Sequence, residues 1–229
     1  MIRYFGHNCF LIANSTTSLI IDPWFSREGA FFGSWYQYPL NHSLRSEAIE
    51  ALKKSEKSFV YLTHEHQDHF DLEFLKDVVI DFKFIVPNFK DKFLIRELEK
   101  IGADVLEIEE KTTLNVDNNF SVRIFISDVG VNHDSAILIN VEGETFFNQN
   151  DCKIFDRLNE IDQQIDIYSA QFSGANAYPS CFNYTKKIKS EISNEKSLSK
   201  LNNVLSALEE IKPRVFCLPL APLFFHILM

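Results

Sequence analysis

Three histidines and one aspartate fall within a single six-residue stretch that directly follows a strand-like apolar run at residues 59–62. The four are His64, His66, Asp68 and His69. Because side chains two apart on extended backbone project to the same side, His64, His66 and Asp68 are predicted to point one way. If the chain instead turns into the helix indicated by residues 71–75, Asp68 and His69 face a different point from the first two histidines. The stretch can therefore serve one metal ion or two.

Imidazole and carboxylate ligands without a thiolate are typical of zinc, iron and manganese sites. We expect zinc, as two ions or as one, with iron or manganese as the alternatives, because affinity order alone does not name the metal. A polar surface loop rich in histidine would have the same sequence pattern. However, the whole chain has seven histidines, and three of them lie in this one stretch. The pattern therefore predicts a metal site.

Length and composition favour one large domain over residues 1–229, since 45% of the residues are hydrophobic and can form a sizeable core. A formal net charge of −9 argues against a general nucleic-acid binder, which needs a basic surface. The sequence shows no signal-type segment and no apolar stretch approaching the roughly 20 residues that span a bilayer. We therefore expect a cytoplasmic protein with a small-molecule substrate and no membrane span, while its oligomeric state is left open. The four cysteines include no Cys-x-x-Cys pair, and reduced thiols are expected.

Strand-like and helix-like segments alternate along the chain. Strands are expected at residues 2–5, 9–13, 18–24, 83–87, 104–108, 119–127, 136–141, 145–147, 165–171 and 214–219. Helices are expected at residues 45–54, 90–101 and 197–211. This rhythm favours an α/β fold in which helices pack outside the sheets.

The pattern His-x-His-x-Asp-His at residues 64–69 resembles the signature of the metallo-β-lactamase superfamily. The resemblance implies a four-layer αββα sandwich with a metal site at one rim of its two sheets. It also implies that His64, His66 and a later histidine hold one ion, that Asp68 and His69 help to hold a second, and that a downstream aspartate bridges both.

The later positions of this signature have candidates in the right order. His133 opens one strand-like segment and Asp151 closes the next, as the resemblance requires for the third histidine and the bridging aspartate. Asp22, at the end of an apolar strand before Pro23, suits the family's first motif aspartate. By resemblance, Asp22 supports the metal-binding loop without being a ligand.

Longer segments resemble one part of the superfamily more closely. Residues 132–136, 147–152 and 171–179 look like the CMP-N-acetylneuraminate hydroxylase-like branch, and the Gly6-His7 opening resembles the lactonase-like and phospholipase-D-like branches. The resemblance does not extend to a Rieske iron–sulfur domain, because the sequence has no Cys-x-His or Cys-x-x-His pair. Substrate-binding residues are expected close to the site and at the exit of the 165–171 strand. The candidates are His7, Gly174, Asn176 and Tyr178.

A second ion in this superfamily takes one more histidine near the C-terminus. His226 is the only histidine after Asp151, and the chain stops three residues beyond it on apolar residues. A domain end is usually polar, so we expect a truncated C-terminus. His226 is the candidate ligand, and His7 is the alternative.

Together these features predict a metal-dependent hydrolase in which Asp68 and Asp151 act in catalysis. The expected substrate is an ester, phosphoester or lactone of a small soluble molecule, sugar- or nucleotide-linked by resemblance. Two alternatives stay open. One is a non-catalytic or partner-dependent sugar-nucleotide-binding domain, and the other is a phospholipase-D-like hydrolase.

Overall fold

The N-terminal half of the chain forms a six-stranded sheet. The computed structural model describes residues 1–127, 133–172 and 178–217. The first sheet contains β1 (Ile2–Gly6), β2 (Cys9–Ala13), β3 (Thr17–Ile21), β4 (Lys57–Tyr61), β5 (Lys83–Pro87) and β6 (Asp104–Ile108), in that order across the sheet. β1 to β3 pair antiparallel, and β3 to β6 pair parallel.

A second six-stranded sheet is built from later residues. Its strands are β7 (Thr113–Asp117), β8 (Phe120–Ser127), β9 (Asp134–Val141), β10 (Glu144–Asn150), β11 (Ile167–Ala170) and β12 (Val215–Cys217). They lie in chain order across the sheet. β7 to β10 pair antiparallel, and β10 to β12 pair parallel. The two sheets therefore repeat one plan, antiparallel strands followed by parallel ones.

Helices cover the outer faces of both sheets. They are α1 (Arg45–Lys53), α2 (Leu72–Val78), α3 (Phe93–Lys100) and α4 (Lys186–Ile211). Buried residues of the first three helices share one apolar cluster with the first sheet, whereas Val204 and Ala207 of α4 pack on the second sheet. A separate cluster, which includes Phe10, Leu19 and Phe146, fills the space between the sheets. This order of layers confirms the expected four-layer αββα sandwich.

The predicted helices differ from the observed ones mainly at α4. This helix begins at Lys186, well before the expected residue 197, and Thr185 caps it by accepting a hydrogen bond from the Ile188 amide at 3.4 Å. Its first half was missed because it is mostly exposed and lacks an apolar stripe.

Within the described residues, the structure contains no helix with the length and apolarity needed to cross a membrane. The four cysteines carry free thiols, as expected.

Several strand ends bring polar residues to one rim of the sandwich. β3 and β4 are parallel neighbours, with Ile21 paired to Tyr61, so the residues that follow both strands leave the first sheet at the same edge. Asp22 follows β3, and the histidine-rich segment follows β4. On the second sheet, Asp134 begins β9 and Asp151 follows β10. The expectation of a single domain over residues 1–229 stays a prediction, and residues 218–229, where a truncation was expected, lie outside the described ranges.

Candidate metal centre

The histidine-rich segment after β4 turns instead of continuing as a strand. The backbone amides of His69 and Phe70 donate to the carbonyl of His66 at 2.9 and 2.7 Å. This turn separates the side chains into two directions, so Asp68 does not share a point with His64 and His66. Of the two arrangements considered from the sequence, the structure has the turned one.

His64 and His66 form one candidate ligand group with Asp134. The Nε2 atom of His64 lies 2.8 Å from Nδ1 of His66 and 3.7 Å from Oδ1 of Asp134. The other ring nitrogen of His64 is 2.9 Å from the Thr63 hydroxyl. The contact with Thr63 fixes the orientation of the His64 ring, which is fully buried. The second nitrogen of the ring, Nε2, therefore points at the candidate centre.

His7, Asp68 and His69 form a second candidate group. The Nε2 atom of His7 lies 3.2 Å from Oδ2 of Asp68 and 3.3 Å from Nε2 of His69, and the third edge is 3.7 Å. Two ligands held tetrahedrally at about 2.0–2.1 Å from one zinc ion are roughly 3.3 Å apart. The spacing therefore suits three ligands of one small divalent ion.

Asp151 connects the two groups. Its Oδ2 atom lies 4.0 Å from Nε2 of His69, and ligand atoms of His64, His69 and Asp151 fall within 4.8 Å of one another. The rings of His64 and His69 are 4.2 Å apart, centroid to centroid. Asp151 thus lies where a carboxylate could contact an ion in either group.

A buried hydrogen-bond network contacts the side of the His69 ring that faces away from the candidate centre. Asp22 is fully buried, and its Oδ2 atom accepts from Nδ1 of His69 at 2.7 Å, from the Thr63 hydroxyl at 2.6 Å and from the Asn8 amide at 2.7 Å. Its Oδ1 atom accepts from the Thr63 backbone amide at 2.8 Å. Asn150 adds an amide 3.3 Å from the Thr63 hydroxyl. Carboxylates that accept the second N–H of a ligand histidine fix its ring and tautomer in metal sites, and Asp22 has that position here.

The donor set fits a divalent cation. Oδ1 of Asp68 and Oδ1 of Asp134 are buried, and neither has a hydrogen-bond partner in the described part of the chain. A buried carboxylate oxygen without a partner is costly, and a cation bound at each of the two groups would offset that cost. Each candidate group contains two imidazoles and one carboxylate, which are ligands for zinc, iron or manganese.

Burial and neighbouring charges shift several pKa values among the side chains of the candidate centre. Burial lowers the pKa of His64 well below its ordinary value. Burial acts the same way on His69, but attraction by Asp68 and then Asp22 outweighs it and raises the His69 pKa to about 10. Burial would raise the pKa of Asp68, yet His69 and His7 hold it well below its ordinary range. Burial, together with repulsion by Asp151, raises the pKa of Asp134 to about 6. Such coupled shifts within one cleft are typical of functional sites.

The structure places His133 differently from the other predicted ligands. Its ring stacks on Phe89 with centroids 5.8 Å apart, and its Nδ1 atom lies 3.4 Å from the Ser127 carbonyl. Within the described residues, His133 joins none of the candidate groups, so its role as a ligand stays a prediction. Its neighbour Asp134, which the sequence analysis missed, faces His64 instead.

The predicted substrate residues are only partly described. His7 lies inside the candidate centre and packs edge-on against Trp24, with ring centroids 5.2 Å apart. Tyr178 contacts Phe182, and the Lys196 ammonium nitrogen lies 5.3 Å from the centre of its ring. Gly174, Asn176 and His226 lie outside the described residues, and their roles stay predictions.

Comparisons with known families and proteins agree with this geometry. A family model for a β-lactamase superfamily domain matches residues 1–151. A Mycolicibacterium smegmatis protein, provisionally named a Rieske 2Fe-2S iron-sulfur protein, is 30% identical over 194 residues, or 80% of this chain and 36% of the relative. The cytidine monophosphate-N-acetylneuraminic acid hydroxylase of Xenopus laevis is 23% identical over 228 residues, or 94% of this chain and 37% of that protein. The chain therefore spans little more than a third of the length of these relatives.

Solved structures share the fold at low identity. The metallo-β-lactamase fold protein YhfI from Bacillus subtilis superposes with a TM-score of 0.53 at 12% identity, covering 93% of this chain and 88% of that one. Zinc-bound PqqB from Methylobacterium extorquens gives a TM-score of 0.52 at 11% identity, covering 94% and 78%. These likenesses concern the arrangement of the sheets and helices alone.

Proposed function

The chain belongs to the β-lactamase superfamily, and from that premise we propose that it is a metal-dependent hydrolase of a small, soluble ester, phosphoester or lactone. One observation carries the proposal. Overlapping groups of two histidines and one aspartate converge at a single rim of the sandwich, with buried carboxylate oxygens that have no partner among the described residues. A surface loop rich in histidine would not bury His64, Asp68 and His69 together.

The proposed cofactor is zinc, as two ions. His64 and His66 would hold one ion, Asp68 and His69 with His7 would hold the other, and Asp151 would contact both. Divalent ions at such a centre lower the pKa of a bound water towards neutrality and polarise a carbonyl or phosphoryl oxygen. Zinc in the similarly folded PqqB supports this choice only by analogy of fold.

The aspartates of the centre have different proposed roles. Asp22 accepts the Nδ1–H of His69 and so directs Nε2 of that ring at the centre. Asp151, which is only partly buried, can accept a proton from a water near the rim. If the centre holds a single ion, Asp68 is released from ligation and becomes a second candidate base. Asp151 is therefore the proposed catalytic carboxylate of a two-ion centre, and Asp68 acts in catalysis with it if one ion binds.

Metal content tests this proposal directly. Protein purified without chelator is analysed by elemental mass spectrometry, alongside Asp151→Ala and the exposed control Asp162→Ala. We expect close to two ions per chain in the unaltered protein and in the control, with hydrolysis of phosphoester or lactone substrates. Asp151→Ala should lose both metal and activity. Full activity in that variant, or an unaltered protein without metal, contradicts the proposal.

A second candidate is a sugar-nucleotide-binding domain that works with another component. The chain covers about a third of the length of two relatives. One is named a Rieske protein, and the other is named a hydroxylase of a cytidine monophosphate sugar. Equilibrium binding of cytidine monophosphate without turnover of any ester would favour this alternative. Turnover that depends on added zinc favours the hydrolase.

A further inference from the structure

A lysine from α4 reaches the rim that carries Asp151. β10 and β11 are parallel neighbours, with Asn150 paired to Ala170, so Asp151 and Gln171 leave the second sheet side by side. The Gln171 backbone amide donates to the Asn150 carbonyl at 3.3 Å. The ammonium group of Lys200 donates to the Gln171 side-chain oxygen. This chain of contacts places Lys200 on the same rim as the proposed catalytic carboxylate.

Two more lysines lie on the elements that meet at this rim. Lys196 precedes Lys200 by four positions on α4, so the two side chains lie on the same face of that helix. The ammonium groups of Lys153 and Lys196 repel that of Lys200, while the carboxylates of Asp151 and Asp134 attract it. Lys153 follows Asp151 by two positions, and Lys196 donates to the Tyr178 carbonyl at 2.6 Å. Within the described residues, neither Lys153 nor Lys200 has an acidic partner within 4 Å. Positive charge is thus concentrated at one part of the rim, although the chain as a whole has a net charge of −9.

This arrangement has an energetic cost that a bound anion would remove. Lys200 is half-buried, and burial of an ammonium group without a close counter-ion is unfavourable. Repulsion from the two neighbouring lysines adds to that cost. Several converging lysines suit a group with more than one negative charge, because each lysine acts as a point charge towards it. A phosphoryl dianion satisfies this requirement better than a carboxylate.

We propose that Lys200, with Lys153 and Lys196, binds a phosphoryl group of the substrate beside Asp151. This inference rests on the proposed hydrolase and narrows its substrates to phosphorylated molecules. The metal centre would hold the bond to be cleaved, and the lysines would hold the phosphoryl group next to it. Lys200 is a substrate-binding residue here, distinct from the residues that hold metal.

Binding of inorganic phosphate tests the role of Lys200. Metal-loaded protein is titrated with phosphate by isothermal titration calorimetry at constant ionic strength, and acetate serves as a monoanionic comparison. Lys200→Gln should raise the Kd for phosphate at least tenfold, and Lys200→Arg should recover most of the loss. The control is Lys187→Gln, which lies on the same helix, is largely exposed and pairs with Glu191 at 3.9 Å. The control should stay within twofold of the unaltered protein.

The metal content of each preparation separates this inference from the proposed function. A Lys200→Gln variant that keeps its metal and binds phosphate as tightly as the unaltered protein overturns the inference and leaves the hydrolase proposal standing. Loss of metal from that variant also overturns it, because Lys200 would then support the centre and not the substrate. Acetate binding as tight as phosphate binding rejects the phosphoryl group. An unaltered protein without metal rejects the proposed function itself.

Discussion

The Nδ1–H of His69 donates to Oδ2 of Asp22 at 2.7 Å, and both side chains are almost completely shielded from solvent. The two residues come from different strand ends of the first sheet, and the pairing of β3 with β4 brings them together. The same oxygen of Asp22 also accepts from Thr63 and Asn8. Asp22 therefore fixes the orientation of the His69 ring.

Asp22→Asn should weaken metal binding without removing a ligand. An amide keeps the shape of the side chain but loses the charge and replaces one acceptor with a donor facing His69. Loss of such a supporting carboxylate typically costs about 10–100-fold in metal affinity. Competition with a chromophoric zinc chelator measures the change, and Asp162→Asn, at an exposed pair with Arg123, is the matched control. Equal affinities in the two variants would contradict the assigned role.

The sequence predicted the part of this centre that depends on local pattern. His64, His66 and His69 follow a recognisable strand, so their convergence needs only the strand and a turn. Asp134 was missed because neighbouring residues at the start of a strand face opposite ways, and sequence does not fix which of His133 and Asp134 faces the centre. That choice depends on the second sheet, where Ser135 is anchored by donating to the Thr63 carbonyl at 2.7 Å.

Long-range contacts could not be predicted from the sequence either, because they also depend on how the sheets and helices pack together. Asn148 donates to Asn8 at 3.0 Å across the two sheets, although 140 positions separate them. The placement of Lys200 depends on where α4 packs, and the exposed first half of that helix carries no periodic signal. The superfamily signature supplied the fold, while these contacts required the assembled layers.

Phe146→Ala should cost about 3–5 kcal/mol of unfolding free energy, the range for removing a buried phenylalanine. Phe146 is 1% exposed between the sheets, and its ring packs against Phe10 with centroids 5.2 Å apart. Urea denaturation measures the loss. Ile80→Ala is the control, because Ile80 is 95% exposed and its truncation should change stability by less than about 0.5 kcal/mol. Similar losses in both variants would contradict the assignment of the intersheet core.

Asp71→Asn should destabilise the loop that precedes the metal centre. One carboxylate oxygen of Asp71 accepts from the Phe25 and Ser26 amides at 2.8 Å each, and the other caps α2 through the Phe74 amide at 3.2 Å. A buried charge-assisted hydrogen bond is worth about 1.5–3 kcal/mol, so the loss should be at least that large. Asp91→Asn is the control, since Asp91 is exposed and accepts from one backbone amide, that of Phe93 at 3.0 Å. Its substitution should cost less than about 1 kcal/mol in the same urea titration.

The stability of the metal-free protein should fall as the pH rises from 6.5 to 9. His69 has a folded-state pKa of about 10 against an ordinary value of 6.5, because Asp68 and Asp22 outweigh the effect of burial. A group whose pKa is raised by folding stabilises fully below its unfolded pKa, and this contribution is lost as the pH approaches the folded pKa. The buried thiols of Cys9 and Cys152 add to this loss only near pH 9, because burial raises their folded-state pKa values while the thiols of the unfolded chain titrate near 9.0.

Urea titrations across that window, with chelator present, separate His69 from other groups. The unaltered protein should lose stability between pH 6.5 and 9, whereas His69→Gln should lose much less below about pH 8, because it lacks the imidazole that is deprotonated in the unfolded chain and protonated in the folded one. Zinc should reverse the trend in the unaltered protein, since metal binds the neutral imidazole and displaces its proton, so affinity rises with pH. An equal slope in the two metal-free proteins would show that His69 is not held protonated by Asp22 and Asp68.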